Sequence, residues 1–237
     1  SYETATNSLG FRDERPREVP LAATNRRVLV IGDSFTEGIA INYSATWVGR
    51  LEQALRRTDD TVEVLNAGVS SYFPAIYLEK TRYWVGEQGL TVSEVVVFLD
   101  ISDVEDEWLS GGLGPQAEDR DSLAPKVKEG LLGFVRHRTI LLRGVLSLFD
   151  RPAPPGPRRE WKALWTVDEG AFEAYGREGL ERSKTHLTAL AELLRARGIP
   201  LTLAVYPWPT QLDHGDRDSR HTSVSYTHLT LPTNREV

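Results

Sequence analysis

The residues best suited to chemistry fall in one heptad, Gly32-Asp33-Ser34-Phe35-Thr36-Glu37-Gly38, directly after the apolar run Val28-Leu29-Val30-Ile31. A serine at the mouth of a strand, with small or polar neighbours and a helix close behind, can present its hydroxyl in a crevice as a nucleophile. Backbone N–H groups of such a turn can stabilise an oxyanion developing on an attacked carbonyl. The same spacing also fits a plain strand-to-helix turn in which Ser34 only caps the next helix. Short motifs recur by chance, so the heptad alone does not decide between the two. It lacks both Gly-x-Gly-x-x-Gly and a Gly-Lys-Ser/Thr ending, which sets a phosphate loop aside.

The elements that must position this serine read as alternating strands and helices. Residues 26–31 form a short continuous apolar run, the pattern of a strand buried on both faces of a parallel sheet. Trp47, Leu51, Ala54 and Leu55 recur at helical spacing and predict a helix packed on that sheet. A second strand is expected at 62–65, closed by Asn66-Ala67-Gly68. A helix follows over 75–86 behind Pro74, and a third strand over 95–99. Leu187, Leu190, Ala191 and Leu194 mark a long helix that ends at Gly198, with Pro200 beyond it and a fourth strand over 201–205. This alternation predicts an α/β fold, a doubly wound parallel sheet with right-handed crossovers. Between Trp108 and Trp165 the pattern breaks. Gly111 to Gly114 reads as loop, 131–149 as mostly helical and 151–157 as a Pro-rich link, so 108–165 is expected to be a largely helical insertion near the strand ends.

Three blocks, each at the end of an expected strand, carry a family resemblance. Gly32-Asp33-Ser34 resembles the first block of the SGNH (GDSL-type) hydrolases, and Asn66-Ala67-Gly68 resembles the second. Asp100-Ile101-Ser102-Asp103 lies where the third block would follow the third strand. Asn7-Ser8-Leu9-Gly10-Phe11-Arg12 is similar to the lead-in of many bacterial members. The resemblance covers most of residues 5–222 and implies a flavodoxin-like SGNH fold and a serine esterase or acyl-transfer activity. Ser34 would be the nucleophile of an acyl-enzyme, Gly68 and Ser102 would be oxyanion donors, and Asp33 and Asp103 would support the site. Substrates implied are small esters or O-acylated carbohydrate, with no cofactor and no metal.

Two departures from the family pattern matter. Ser102 stands where the third block has an Asn donor, and Asp100 where it has Gly. The family's Asp-x-x-His block, which supplies the general base, has no match before Ser223. His221, spaced from Asp218 like that block, and His214, beside Asp213, are the remaining candidates within the chain. His137 and His186 fall on expected helices and His228 in the tail. The base is therefore expected beyond the native end, which makes the chain an inactive fragment of an enzyme. A non-catalytic carbohydrate-binding or assembly protein on the same scaffold is the alternative that the missing Asn motivates. The acidic run Asp100, Asp103, Glu105, Asp106, Glu107 lacks the Gly and closing Glu of a calcium loop. Asp103 is expected to hydrogen-bond the crevice loops and the others to be solvated.

Composition fits this reading. The 237 residues suit one sizeable α/β domain, here 1–222. A formal charge of −6 and a pI near 5.5 disfavour a nucleic-acid surface. The absence of Cys excludes disulfides and thiolate chemistry. No apolar run is long enough to span a bilayer. An extracytoplasmic or periplasmic site is the expectation if a leader or anchor precedes Ser1. Residues 223–237 are expected to be a non-native tail, because Val224 to Thr233 resembles a translated sequencing-library adaptor.

Overall fold

The computed structural model describes residues 2–111, 160–213 and 220. Six strands form one sheet: β1 (Ala5–Thr6), β2 (Arg12–Asp13), β3 (Arg27–Gly32), β4 (Glu63–Asn66), β5 (Glu94–Leu99) and β6 (Leu201–Val205). Their order is β1-β2-β4-β3-β5-β6, and β4, β3, β5 and β6 run parallel. Val30 sits opposite Asn66, the last residue of β4, on one side and Val96 on the other, and Gly32 sits opposite Phe98, so β3 and β5 run on past the end of β4. Each of these four strands lies within one residue of its expected place. Continuous β-branched runs have no amphipathic alternative at that length.

Side chains of β3 alternate between the two faces. Val28 and Val30, with Val64, pack on Val48 of α2 (Trp47–Leu55). Leu29 and Ile31, with Leu65, Val95 and Val97, join the larger core on the other face. That core takes Tyr77 and Leu78 from α3 (Pro74–Thr81) and Val104 from α4 (Ser102–Leu109). Leu187, Leu190 and Leu194 enter it from the long helix over Arg177–Arg195. The sheet is thus covered on both faces, as a doubly wound fold requires. On α2 the deepest residue is Val48, fully buried, whereas Ala54 is exposed. The helix expected over 75–86 is α-helical to Thr81 and continues as a π-turn over Arg82–Glu87.

The sheet is mostly parallel, and it carries in addition two short edge strands that the sequence pattern did not mark. The segment read only as a lead-in forms β1 and β2, antiparallel to each other, with β2 antiparallel to β4 at Arg12 opposite Asn66. A charged network fixes this edge. Arg17 bonds Asp13 and Glu63, and Arg27, 1% exposed, donates to Glu63 Oε2 at 2.6 Å and to the Pro20 carbonyl at 3.0 Å. Periodicity cannot reveal two-residue strands held by side-chain ion pairs.

Helix α5 (Glu160–Val167) belongs to the same core. Trp165 is fully buried, and its indole N–H donates to the Ile101 carbonyl at 3.2 Å. The body of the expected insertion, residues 112–159, lies outside the described residues, as do 214–219 and 221–237. Among the described residues no helix is long and apolar enough to cross a membrane.

Removing Glu63 would strand a buried guanidinium. Breaking a buried pair from one side typically costs about 3–5 kcal/mol. Glu63→Ala should therefore lower the urea midpoint by that order, whereas Arg26→Ala, at the exposed pair with Glu94, should leave it almost unchanged.

Candidate functional site

The chain leaves β3 through α2 toward β4 on one side, and leaves β5 toward β6 on the other. Between β3 and β5 the connections diverge, and such a switch point leaves a crevice outside the carboxyl ends of the strands. Ser34 follows β3 and Asp100 follows β5, so the two flank that crevice.

The turn after β3 is tightly built. Asp33 caps the short helix α1 (Ser34–Glu37), its Oδ1 accepting the Phe35 N–H at 2.9 Å. A Cβ on Gly32 would lie 2.1 Å from Thr36 Oγ1 and 3.0 Å from the Phe98 carbonyl, so only glycine lets α1 fold back onto β5. Ser34 is half-buried, and its hydroxyl donates to Asp33 Oδ2 at 3.3 Å.

Asp33, Asp100 and Asp103 each bring one carboxylate oxygen to within 4.8 Å of the others, and all three are buried. Tyr206 and Trp208 donate to Asp100 Oδ1, each at 2.6 Å, and the Ser102 hydroxyl donates to Asp100 Oδ2. Tyr77 donates to Asp103 Oδ2 at 2.9 Å and the Asp100 N–H to the same oxygen at 3.0 Å. Burial first, then the charge of Asp100, pushes the Asp33 carboxyl up to about 6. Hydrogen bonds from Phe35 and Ser34 oppose that rise. Burial, with Asp100 and Asp33 behind it, lifts Asp103 well above the carboxylate range. Along the crevice runs an aromatic row, Trp47–Phe98–Tyr206–Phe35, with ring centroids 4.6, 4.9 and 5.4 Å apart. Phe35, next to Ser34, is 45% exposed.

Ser34, Asp33, Ser102 and Asp103 thus gather at the carboxyl ends of β3 and β5, and Gly68 packs against the turn that carries Ser34. Neither expected oxyanion donor is free, however. The Gly68 N–H donates to Asn66 Oδ1 at 3.0 Å, while Asn66 Nδ2 donates to the Thr36 carbonyl at 2.8 Å. A Cβ on Gly68 would lie 2.6 Å from Thr36 Cγ2 and 2.7 Å from the Glu37 nitrogen. In this conformation Gly68 is a close-packing residue that seats β4 against α1. The Ser102 hydroxyl is likewise committed to Asp100.

The acidic run departs from its expected solvation. Glu105 and Glu107 are buried because α4 is wedged under α3 and the long helix. Glu107 Oε1 accepts the Ala75 N–H at 2.7 Å and lies 2.9 Å from His186 Nδ1. His186, the one histidine among the described residues, therefore braces two helices. His214, His221, His137 and His228 lie outside the described residues. The hydrogen-bonding roles of Tyr77, Asp100, Tyr206 and Trp208 had not been read from the sequence. The available signal was an acid and an aromatic pair placed directly after neighbouring strands.

No family model matches the chain, and no curated sequence matches it. Solved structures similar in shape include AlinE4, an SGNH-hydrolase family esterase (17% identity over 81% of this chain and 64% of that one, TM-score 0.43). TesA aligns at 17% identity over 81% and 66%, TM-score 0.44. The psychrotrophic esterase EstA from Pseudoalteromonas sp. aligns at 13% over 77% and 62%, TM-score 0.37. The chain spans less than two thirds of the length of these proteins. At such identities and scores, the fold assignment rests on the chain's own sheet order and covered faces. Those define the class: a doubly wound α/β protein with a serine and three carboxyls at its switch point.

Two substitutions separate packing from chemistry here. Overpacking of this kind costs about 1–3 kcal/mol, so Gly68→Ala should lower the unfolding midpoint whatever it does to activity. Burial pushes the Glu105 carboxyl up to about 7. A raised carboxyl keeps its proton in the folded chain after the unfolded chain has lost it. Stability therefore falls as pH rises from about 4.5 to about 7. Glu105→Gln should raise stability by about 1–3 kcal/mol at pH 8 and leave it unchanged at pH 4, read from denaturant midpoints. Equal effects at both pH values would show that Lys162, 3.9 Å away, keeps Glu105 ionised.

Proposed function

We propose that this chain carries the nucleophilic serine of an SGNH-type ester hydrolase or acyltransferase acting on small esters, O-acylated carbohydrate among them. The observation that carries this reading is the position of Ser34. Its half-buried hydroxyl stands at the carboxyl end of a central parallel strand, at the switch point, against the Asp33 carboxyl. Ser34 Oγ would attack the ester carbonyl, the ester C–O bond would break and the alcohol would leave with the serine proton. Water or a sugar hydroxyl would then take the acyl group and return a proton to Ser34 Oγ. Phe35 and Tyr206 supply an apolar wall on which an acyl chain or a sugar face can lie. Gly68 and Ser102 could serve as oxyanion donors only after release from Asn66 and Asp100.

A second reading has its own support: both expected oxyanion donors are satisfied internally, which suits a site that binds without turning over. In this reading the crevice holds an acylated carbohydrate and Ser34 is one hydrogen-bonding group among several.

A fluorophosphonate ester tests the pair. The esterase reading expects one covalent adduct, located at Ser34 by peptide mass and absent from Ser34→Ala. A serine hydroxyl without a general base should react slowly, since base assistance is worth about 10²–10⁴-fold. Turnover of a p-nitrophenyl ester should be correspondingly low and vanish in Ser34→Ala. Undiminished turnover in that variant removes Ser34 from the mechanism. No adduct, together with saturable binding of an acetylated oligosaccharide, favours the binding protein.

A further inference from the structure

Like charges within 4.8 Å in a protein interior repel one another by several kcal/mol even at an effective dielectric near 20. Three ionised carboxylates cannot share such a space unless positive charge joins them. At Asp33, Asp100 and Asp103 the described residues supply hydrogen-bond donors but no cation. The groups facing the cluster are the hydroxyls of Ser34, Tyr77, Ser102 and Tyr206, the indole N–H of Trp208, and the backbone N–H of Phe35 and Asp100. No lysine, arginine or histidine is paired with any of the three among the described residues.

A second observation is an unpartnered oxygen on a member of the cluster. Asp103 is fully buried, and its Oδ1 accepts no hydrogen bond, whereas Oδ2 accepts two. A buried carboxyl oxygen left without a partner carries a desolvation cost that no hydrogen bond offsets. The other oxygens are held in place from outside. Tyr206 and Trp208 fix Asp100, Tyr77 fixes Asp103, and the Phe35 amide fixes Asp33. Outer hydrogen bonds of this kind orient carboxylate ligands around a metal ion.

We propose that Asp33, Asp100 and Asp103 bind a hard divalent cation of the Ca²⁺ or Mg²⁺ class. All-oxygen ligation by carboxylates selects such ions over soft ones. Cys is absent from the chain, and no His joins the cluster among the described residues. The ion links the ends of β3 and β5 and stiffens the turn that carries Ser34. Its presence is independent of ester chemistry, so the binding readout stands whether or not Ser34 is a nucleophile.

The test uses the full chain stripped with EDTA and titrated with Tb³⁺, excited through tryptophan. Trp208, bonded to Asp100, should act as the nearby sensitiser. Saturable luminescence is expected, displaced by Ca²⁺ or Mg²⁺ and at least about tenfold weaker in affinity in Asp103→Asn. One lost charged ligand should cost on the order of that factor or more. The unfolding midpoint of the parent chain should rise by several degrees with Ca²⁺ or Mg²⁺, as any ligand of the folded state alone requires. That midpoint shift needs no variant, so it decides the matter even if Asp103→Asn fails to fold. Unsaturable luminescence, an equal affinity in a folded Asp103→Asn, or a midpoint unmoved by either ion would overturn the proposal. The cluster would then be neutralised by protons alone.

Discussion

Everything at the candidate site depends on one crowding problem. Strands β3 and β5 are neighbours whose chains depart in opposite directions, and the space this opens is filled by a serine and three carboxyl groups. Acidic side chains are seldom buried unless paired. Here the fold holds them with neutral donors drawn from distant elements: Tyr77 from α3, and Tyr206 and Trp208 from the segment after β6. Those bonds tie three otherwise separate pieces of chain to one point. The carboxyl edge of the sheet is consequently rigid where a loop-built site would be loose, and Ser34 inherits that rigidity through Asp33.

How far the sequence reached follows from what each feature depends on. Strands β3 to β6 were legible because continuous runs such as Val95-Val96-Val97 admit little else, and parallel order followed from the helices between them. Strands β1 and β2 were not, since they are held by Arg17, Arg27 and Glu63 rather than by an apolar pattern. The turn after β3 was legible because Gly32-Asp33-Ser34 closes an apolar run, whereas the close backbone approaches at Gly32 and Gly68 appear only in the structure. The carboxylate cluster was not. Asp100 and Asp103 stood in an acidic run that reads as a solvated face, and their partner Asp33 lies in another block altogether. Only strand order brings the two blocks together, and spacing within a run says nothing about it.

The commitment of Gly68 and Ser102 bears on how such a site could act. An oxyanion donor is useful when it faces an unfilled space before the substrate arrives, so that no protein bond breaks at the moment of reaction. Asn66 spends its side chain on Gly68 and Thr36 together, which makes that bond part of the joint between β4 and α1. Releasing it would loosen the joint that seats the serine. Ser102 is different. It lies at the start of α4, bonded to Asp100 two residues before it, and a rotation about one side-chain bond could redirect its hydroxyl without moving the helix.

Asp100 therefore controls what Ser102 can do. The same carboxylate accepts Tyr206 and Trp208 through Oδ1 and the Ser102 hydroxyl through Oδ2, so both of its oxygens are engaged. Two positions that stand apart in the sequence argument therefore act together in space: Asp100 takes the Ser102 hydroxyl into its own hydrogen-bond shell. Any positive charge drawn to Asp100 competes with Ser102 for the same oxygens. The state of the cluster thus decides whether the Ser102 hydroxyl stays bound to Asp100 or is free to turn elsewhere.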